Sequence, residues 1–408
     1  MEQRFDVAIV GGGLNGPLLA LALARGGLRV AVIDALPAET RAEEGFSGRA
    51  YALALASVRM LQALGLWADL AVHAQSILQI KASDGRAGEG AAPFFLHFHH
   101  GEIEEGPMGH MLEDRYLRRA LLSAMTTQEG ITHLSGKEVV AQEVRPGGAV
   151  LDLASGGQVT ARLVAGCDGR ASGTARRAGI RRIDRDYPQT ALVCAIAHER
   201  PHEGIAHQFF MPPGPLAILP LPGNRSSIVW SEGTAAAAAI QAMDGPDYLA
   251  VLRPRFGDFL GEISLAGDRY SYPLSLSLAQ SLVAERLVLV GDAAHGLHPI
   301  AGQGLNLGLR DVAALAEVLL EAARRGEDIA NPLVLERYQI WRRFDTVAMA
   351  LATDGVNRLF SNDNPVLRGL RDVGMGVVSA LPALRRGFIR QAAGLTGEVP
   401  KLLRGQTI

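Results

Sequence analysis

The sequence has little cysteine, little net charge and no long apolar run. Its 408 residues include only two cysteines, Cys167 and Cys194, so at most one disulfide can form and a reducing, intracellular compartment is favoured. The formal net charge is -2, and we therefore expect no nucleic-acid partner. Outside residues 7–24 the sequence contains no run of about 18 apolar residues, which is the length that a membrane-spanning helix needs. The apolar stretch at 7–24 is broken by glycines and lacks a small-residue cleavage site, so we expect no signal peptide.

Signatures of several enzyme classes are also absent from the sequence. No group of cysteines and histidines has metal-ligand spacing, so we expect no metal centre. No G-x-S-x-G motif follows a predicted strand, which argues against a serine hydrolase. The chemistry is therefore expected to come from a bound cofactor.

The first 35 residues have the pattern of a strand, a helix and a second parallel strand. Residues 5–10 form a continuous apolar run typical of a buried parallel strand, and residues 11–16 predict a tight turn. A helix is expected over 17–26 and a second strand over 28–33. Further helices are predicted at 55–64 and 116–125 and in the alanine run at 235–239, and a short buried strand is predicted at 163–165.

The turn carries a dinucleotide-binding motif. Gly11-Gly12-Gly13-Leu14-Asn15-Gly16 satisfies G-x-G-x-x-G between a predicted strand and a predicted helix. Gly11 permits the turn, Gly13 lets the backbone approach a pyrophosphate, and Gly16 allows the helix to pack on the strand. Asp34 follows Gly16 by 18 residues, where a carboxylate can bind ribose hydroxyls.

A second motif identifies the dinucleotide as FAD. Gly291-Asp292-Ala293-Ala294-His295 follows the apolar run 287–290 and leads to a glycine-rich helix start at 301–306. Asp292, at the tip of a strand, can bind ribityl hydroxyls. The unpaired N–H groups and positive dipole of the helix start can stabilise the anionic edge of a reduced flavin.

The order of these patterns predicts a nucleotide domain interrupted by a substrate domain. From about residue 186 the sequence has alternating β-type segments with Pro- and Gly-rich turns, and the α/β texture returns near residue 287. We predict an α/β fold: a Rossmann-like FAD-binding domain of the glutathione-reductase type, a β-sheet substrate domain and a C-terminal helical segment. The predicted boundaries are 1–75, 101–180 and 275–345 for the FAD-binding domain, 76–100 and 181–274 for the substrate domain, and 346–408 for the helical segment.

These motifs together resemble those of a known family. The chain is similar to the ubiquinone-biosynthesis branch of the flavoprotein aromatic hydroxylases, the group related to 4-hydroxybenzoate hydroxylase. The likeness covers nearly the whole chain, and the stretch 291–306 is its most specific part. The matching segments are 10–16, 48–53, 113–118, 167–169, 187–191, 214–217, 272–274, 291–311 and 360–408.

The resemblance implies roles for individual residues. Arg49 would contact the flavin pyrophosphate or ribityl region, and Arg115 would reach the FAD phosphates, although arginines at such positions are often ordinary surface residues. The Asp168-Gly169 pair would lie near both FAD and the co-substrate NAD(P)H. Pro299 would border the flavin ring at the reaction site. The residues expected to cup the flavin edge are Gly302, Gln303, Gly304, Leu305 and Asn306.

Three further assignments stay open at the level of sequence. The family usually has an arginine where this chain has Ala175; Arg176 follows, but a one-residue shift turns a helical side chain by about 100°. His295 is a candidate proton relay beside the flavin, and a structural histidine is the favoured alternative. Candidate residues lining the substrate cavity are Tyr187, Gln189, Tyr272 and His298, for which packing is the simpler interpretation.

The resemblance implies NAD(P)H- and O2-dependent hydroxylation of a polyprenylated phenol in ubiquinone biosynthesis, through a flavin C4a-hydroperoxide. Alternatives are a flavoprotein reductase or oxidase that inserts no oxygen, and a non-catalytic FAD-containing subunit. We expect a cytoplasmic protein, with attachment to the inner membrane surface left open. The basic, amphipathic residues 365–390 fit a membrane surface or a partner subunit of a ubiquinone-biosynthesis complex, and equally a helical cap with solvated arginines. A homo-oligomer is also left open.

Overall fold

The computed structural model describes residues 4–46, 48–88, 90–297, 302–360, 374, 376 and 378–408. The helices are α1 Asn15–Arg25, α2 Ala38–Arg41, α3 Leu55–Ala63, α4 Trp67–Ala71, α5 Asp114–Thr127, α6 Gly173–Arg177, α7 Thr234–Ala242, α8 Gly245–Phe256, α9 Gln303–Arg324, α10 Pro332–Phe360 and α11 Pro382–Ala392. The strands are β1 Arg4–Val10, β2 Val30–Asp34, β3 Ala50–Ala54, β4 Gln75–Ile77, β5 Gln79–Arg86, β6 Gly90–His99, β7 Gly109–Glu113, β8 Ile131–Ser135, β9 Val139–Arg145, β10 Gly148–Leu153, β11 Gln158–Gly166, β12 Arg182–His198, β13 Ile205–Met211, β14 Gly214–Leu221, β15 Arg225–Gly233, β16 Ile263–Leu265, β17 Tyr270–Ala279, β18 Val283–Ala284, β19 Leu287–Leu289 and β20 His295–Gly296.

A parallel sheet forms the nucleotide-binding half of the fold. Its order is β18-β19-β11-β1-β2-β8, and the β9–β10 hairpin continues from β11. The four pairings from β19 to β8 are parallel. Val7, Ala8 and Ile9 are fully buried, since helices cover both faces of such a sheet.

A mainly antiparallel sheet forms the second half of the fold. Its order is β20-β17-β12-β15-β14-β13-β5-β6, with β16 beside β12. Its strands β5, β6 and β12 to β16, and the first half of β17, come from the segments predicted for the substrate domain, although the domain boundaries themselves stay a prediction. One face of the sheet packs Leu192, Ile228 and Trp230 against α7 and α8. A small sheet, β3-β7-β4, lies in the chain between α2 and α5.

The predicted α/β class is confirmed, and several elements are longer than predicted. The strand expected at 163–165 lies in the second half of the nine-residue β11, and the helix expected from residue 116 starts at Asp114. The 29-residue α10 was not predicted as a single helix. In the C-terminal segment the structure describes α11, while most of 361–377 lies outside the described residues. None of the described helices is long and apolar enough to cross a membrane.

Replacing Trp230 by alanine should strongly destabilise the second sheet. Trp230 is fully buried, and its ring contacts Tyr248 of α8 with 6.0 Å between centroids. We expect Trp230→Ala to lower the free energy of unfolding by about 3–5 kcal/mol, measured by urea denaturation. Val72→Ala, at an exposed position, should change it by less than about 0.5 kcal/mol. Equal losses in both variants would contradict this packing.

Candidate active site

The predicted motif residues meet at the carboxyl edge of the parallel sheet. In register, Gly166 of β11 lies opposite Val10 of β1 and Leu289 of β19. The turns after these strands therefore lie side by side, as expected for a nucleotide site in such a sheet. A Cβ at Gly11 would lie 2.4 Å from the Cys167 carbonyl oxygen, and the Gly11 φ is +114°. Only glycine fits where the two turns touch.

The other glycines of the first turn have different surroundings. A Cβ at Gly12 would lie 2.3 Å from Asp34 Oδ2, and one at Gly16 would lie 2.0 Å from the Gly11 carbonyl oxygen. A Cβ at Gly13, in contrast, would meet no described atom within 4 Å. Gly12 and Gly16 are thus constrained by internal packing. Gly13 faces an open cradle large enough for a ligand to approach the backbone.

Asn15 lies between the N-terminal ends of two helices at this edge. Its amide nitrogen would lie 2.0 Å from a Cβ at Gly291 and 2.7 Å from one at Gly308. Helix α1, helix α9 and the turn at 291–294 after β19, which we call the second turn, are therefore in close contact. Among the described residues, neither helix has an acidic side chain in its first turn or a side-chain N-cap bond. Their positive ends can therefore receive anionic groups. Together with the cradle at Gly13, this geometry fits the pyrophosphate and the pyrimidine edge of FAD.

Asp34 lies at the end of β2, as predicted, and already has a protein partner. Its side chain is buried, and Arg41 Nε and Nη2 donate to its two oxygens at 2.8 and 3.0 Å. The Leu36 N–H donates to Oδ1 at 3.2 Å. A carboxylate has about four acceptor positions, so Asp34 retains capacity for ribose hydroxyls.

The buried carboxylate of Asp311 in α9 holds the second turn in place. Asp311 Oδ2 accepts hydrogen bonds from the Gly291 N–H at 3.0 Å and from His295 Nε2 at 2.6 Å. Asp311 Oδ1 accepts one from Arg342 Nε of α10 at 2.7 Å. Burial opposes ionisation of Asp311, but His295 and Arg342 together hold its pKa below the ordinary value. The carboxylate therefore stays charged where it holds the turn.

The same turn positions two predicted site residues differently. The Asp292 side chain is about half exposed, with one oxygen 3.6 Å from Arg170 Nε, so it is accessible to ribityl hydroxyls. His295 is buried, pairs through its backbone with Leu278 and donates to Asp311. This environment favours the structural interpretation of His295 over the proton relay. Pro299 and His298 lie outside the described residues.

The start of α9 places its residues at the cradle, but Asn306 is engaged within the protein. Gly302 precedes the helix with a φ of +62°, and Gln303, Gly304 and Leu305 form its first turn. The Asn306 Oδ1 accepts from the Ala54 N–H at 2.9 Å, and its Nδ2 donates to the Ala52 carbonyl at 2.8 Å. Its side chain thus holds α9 against β3, and the N–H groups of the first turn are the groups suited to the flavin edge.

The two predicted arginines are held by protein groups. Arg49 Nε donates to the Tyr272 hydroxyl at 3.3 Å, and its guanidinium lies over the ring of that tyrosine. Arg115 Nε donates to Glu113 at 2.8 Å and Nη1 to the Glu44 carbonyl at 2.9 Å. Arg49 lies between the small sheet and the second sheet. Because both guanidinium groups bind protein atoms, a contact of either arginine with bound FAD stays a prediction.

Asp168 organises its own loop. Its carboxylate accepts hydrogen bonds from the Ser172 hydroxyl and from the N–H and hydroxyl of Thr174. Ala175, at the position where the family usually has arginine, is fully buried, whereas Arg176 is exposed. The one-residue shift of about 100° therefore moves the arginine from the buried side of α6 to an exposed one. The Asp168-Gly169 backbone still lies at the nucleotide edge, beside Gly11.

The second sheet presents an apolar face opposite the one that packs on α7 and α8. Tyr187, Ala191, Val193 and Leu274 are buried on this face, with Val229, Tyr270, Tyr272 and Leu276 partly buried beside them. Its polar members are bonded: the Tyr187 hydroxyl donates to Asp354 at 2.8 Å, and Asn357 Nδ2 donates to Gln189 Oε1 at 3.1 Å. Such a surface suits an aromatic, largely apolar substrate.

Three residues of the site were not predicted: Arg41, Asp311 and Arg342. Asp311 had a signal, because it is a charged residue within a long apolar helix pattern and closes the motif segment 291–311. Arg41 and Arg342 had none, since each pairs with an acid whose position depends on the fold. Within the described residues, no group of three His, Cys, Asp or Glu side chains could hold a metal.

The comparisons agree with this geometry. The family model described as FAD binding domain matches residues 4–351. The ubiquinone hydroxylase UbiL of Rhodospirillum rubrum is 45% identical over 99% of this chain and 94% of its own length. The 3-demethoxyubiquinol 3-hydroxylase of Escherichia coli is 35% identical over 97% of this chain and 100% of its own. The p-nitrophenol 4-monooxygenase PnpA of Pseudomonas putida has the same fold, with a TM-score of 0.80, 19% identity and coverage of 98% of this chain and 100% of its own.

Gly13→Ala should separate cofactor binding from protein stability. The added methyl meets no described atom within 4 Å, so the melting temperature of the apoprotein should change little. We expect FAD affinity, measured by flavin fluorescence titration, to fall at least about tenfold, because the methyl occupies the pyrophosphate cradle. Gly16→Ala, whose methyl would lie 2.0 Å from the Gly11 carbonyl oxygen, should destabilise the apoprotein itself. Unchanged FAD affinity in Gly13→Ala would show that the pyrophosphate does not bind at Gly13.

Asp311→Asn should destabilise the protein in a pH-dependent way. At pH 7 it leaves Arg342 buried without its main anion, and we expect a loss of roughly 3–5 kcal/mol in the free energy of unfolding. Because the folded-state pKa of Asp311 is lowered from 3.8, its stabilisation is present above that value and is lost as the pH falls further.

The difference in the free energy of unfolding between wild type and Asp311→Asn, measured by urea denaturation, should therefore be smaller at pH 3 than at pH 7. Glu143→Gln is a suitable control, since Glu143 is an exposed carboxylate paired with Arg145, and it should change stability by less than about 1 kcal/mol at either pH. A gap that stays constant with pH would show that the Asp311 charge is not the stabilising element.

Proposed function

The chain belongs to the FAD-binding domain family and has ubiquinone hydroxylases among its relatives, and from this premise we propose that it is an FAD-dependent aromatic-ring monooxygenase of ubiquinone biosynthesis. Its substrate would be a polyprenylated phenol, with O2 and NAD(P)H as co-substrates. The observation that carries the proposal is the 45% identity to a ubiquinone hydroxylase across nearly the whole chain.

The residues of the carboxyl edge would hold FAD along its length. The N–H groups at the start of α1 would bind the pyrophosphate over Gly13, and Asp34 would bind the adenosine ribose. Asp292 would bind the ribityl chain, and the N-terminal turn of α9 would stabilise negative charge on the pyrimidine edge. When bound, FAD supplies the redox chemistry that activates O2 for transfer to an aromatic ring.

The remaining task of the protein is to position the phenol and exclude water. The apolar face around Val193, Leu274 and Tyr272 supports binding of an aromatic ring, and a dry site protects a reactive oxygen species from side reactions. The Arg49–Tyr272 contact joins this face to the small sheet, so the phenol would be bound between the two sheets. Pro299 is proposed to border the ring, from the family resemblance alone.

The nicotinamide nucleotide is proposed to approach the Asp168-Gly169 backbone. This loop is rigid, because the Asp168 side chain binds Ser172 and Thr174. Arg176 is exposed and could contact a nucleotide phosphate only from the outer side of α6. The choice between NADH and NADPH is therefore left to measurement.

The lipophilic substrate would come from the inner membrane, and we propose that the protein acts in the cytoplasm beside that surface. In α11, Leu384 and Phe388 are exposed, which supports contact with a lipid surface or with another subunit of a biosynthetic complex. Arg385 and Arg390 are paired with Glu102 and Glu105 at 3.0 and 2.6 Å. These pairs make the two arginines less available to lipid phosphates and favour the helical-cap interpretation of α11.

The test is product analysis with the purified, FAD-loaded protein. With NADH or NADPH, a short-chain prenylated phenol should accelerate nicotinamide oxidation, and the product should gain one oxygen atom from ¹⁸O2 by mass spectrometry. A reaction under argon and the Gly13→Ala variant serve as controls. Reduction of the prenyl tail without oxygen gain would identify a reductase, and flavin that NAD(P)H cannot reduce would identify a non-catalytic subunit.

A further inference from the structure

Two arginines lie beside Asp292, and they are engaged by the protein to different degrees. Arg182 of β12 is mostly buried, and its guanidinium donates to the Ser277 hydroxyl at 2.9 Å and to two backbone carbonyls of the second turn. Its donors are thus used to hold that turn. Arg170 follows Gly169 directly in the loop after β11, and its side chain is 43% exposed.

The guanidinium of Arg170 makes only weak contacts with the rest of the protein. Its Nη2 donates to the Leu297 carbonyl at 3.4 Å, and its Nε lies 3.6 Å from Asp292 Oδ2, too far for a hydrogen bond. A guanidinium has five N–H donors, so most donors of Arg170 have no partner among the described residues. Both members of the Arg170–Asp292 pair are about half exposed, and such pairs add little stability. The side chain is therefore available to an anionic ligand.

Arg170 lies where the two halves of the fold meet. It follows β11 of the parallel sheet, and its side chain lies against Gly296 of β20, the edge strand of the second sheet. A Cβ at Gly296 would lie 3.1 Å from Arg170 Nε, so the glycine leaves room for the arginine. Leu297 is the last described residue before the segment that leads to α9, whose first turn is proposed to face the flavin. The exposed cation therefore lies beside the flavin end of the site.

The arginines of the neighbouring helix α6 do not have this position. Ala175, where the family usually has an arginine, is fully buried, and Arg176 is exposed on another side of the helix. Arg177 is half-buried and donates to the Val139 carbonyl of β9 at 3.1 Å. Among the described residues, Arg170 is therefore the cation that is both exposed and in contact with the second turn.

We propose that Arg170 binds the pyrophosphate of the nicotinamide dinucleotide that reduces the flavin, an inference that rests on the proposed monooxygenase function. The planar fork of a guanidinium matches two phosphate oxygens, and these charge-assisted hydrogen bonds are stronger than neutral ones. The nicotinamide has to reach the flavin ring, and Arg170 lies next to the Asp168-Gly169 backbone that the dinucleotide is proposed to approach. Arg170 would thus supply the cation that this chain lacks at Ala175. NADH and NADPH share the pyrophosphate, so the proposal covers both.

FAD also contains a pyrophosphate, but its proposed place is over Gly13, where backbone N–H groups form the cradle. Arg170 contacts Asp292, Gly296 and Leu297, which belong to the ribityl and ring end of the site. No described contact joins its side chain to the turn at 11–16. The pyrophosphate that fits Arg170 is therefore that of a second dinucleotide, and the experiment has to distinguish the two.

The first test is isothermal titration calorimetry of the oxidised, FAD-loaded protein with ADP-ribose, which carries the pyrophosphate but no nicotinamide. The wild type should bind it, and Arg170→Gln should raise the dissociation constant at least about tenfold. Arg170→Lys keeps the charge without the fork and should have an intermediate affinity. Arg145→Gln is the matched control, because Arg145 has a similarly exposed side chain (48%) beside a carboxylate, and it should leave binding unchanged, as should Arg176→Gln.

The second test is anaerobic reduction of the bound flavin, followed by stopped-flow absorbance without any phenol. With NADH or NADPH, Arg170→Gln should raise the donor concentration needed for the half-maximal rate at least about tenfold. With dihydronicotinamide riboside, which has no phosphate, the wild type and Arg170→Gln should react at the same rate. The FAD affinity of Arg170→Gln, measured by flavin fluorescence titration, should equal that of the wild type, and unchanged circular dichroism shows that the variant is folded.

The outcomes separate this inference from the proposed function. The inference is overturned if the wild type has no measurable affinity for ADP-ribose, or if Arg170→Gln binds ADP-ribose as tightly as the wild type. A loss of FAD affinity in Arg170→Gln would assign the arginine to the FAD phosphates instead, and a loss of ADP-ribose affinity in Arg176→Gln alone would assign the contact to α6. Wild-type flavin that neither NADH nor NADPH reduces would contradict the proposed function as well.

Discussion

The structure depends on one buried carboxylate, that of Asp311. It binds a backbone N–H of the second turn, the imidazole of His295 and the guanidinium of Arg342. The first two contacts fix the turn that carries Asp292 at the nucleotide edge. The third fixes the rotation of α10 and thereby decides which of its faces is exposed. Burying a charge costs free energy, but this charge joins α9 to the second turn, to His295 and to α10.

The parts of the fold that follow local rules could be predicted from the sequence. The first turn and the strand before it are specified by glycine spacing and an apolar run within 35 residues. The extents of β11 and α10 could not be predicted, because they depend on partners far along the chain. On one side β11 pairs with β1 from Thr160 to Gly166, and on the other side it pairs first with β10 and then with β19. Helix α10 is held by Arg342 and Tyr338 contacts that no spacing rule anticipates.

The candidate site shows the same division. The sequence motifs lie in turns that the structure brings side by side, and the family resemblance predicts that these turns bind a flavin. Side chains within those motifs, however, are largely used to hold the turns together: Asp168 binds its own loop, Asn306 joins α9 to β3, and His295 binds Asp311. In the proposed mode of FAD binding, ligand contacts are thereby left mainly to backbone N–H groups, Asp34 and Asp292. Motif side chains can indicate the position of a site without contacting the ligand, because their hydrogen bonds hold the turns that form the site.

The distribution of the flavin-binding elements along the chain has a consequence for biosynthesis. The first half of the site, β1, α1 and β2, lies within residues 4–34 and is synthesised before the rest of the site. The turn that begins at Gly291 and helix α9, which begins at Gln303, follow Asp34 by more than 250 residues. Arg342, which anchors Asp311, is synthesised after both. A domain folds as a unit, and this one cannot close around its cofactor until residue 342 has been synthesised. Flavin capture is thus a late event, and a stalled or truncated chain would carry an open half-site with no means of retaining FAD.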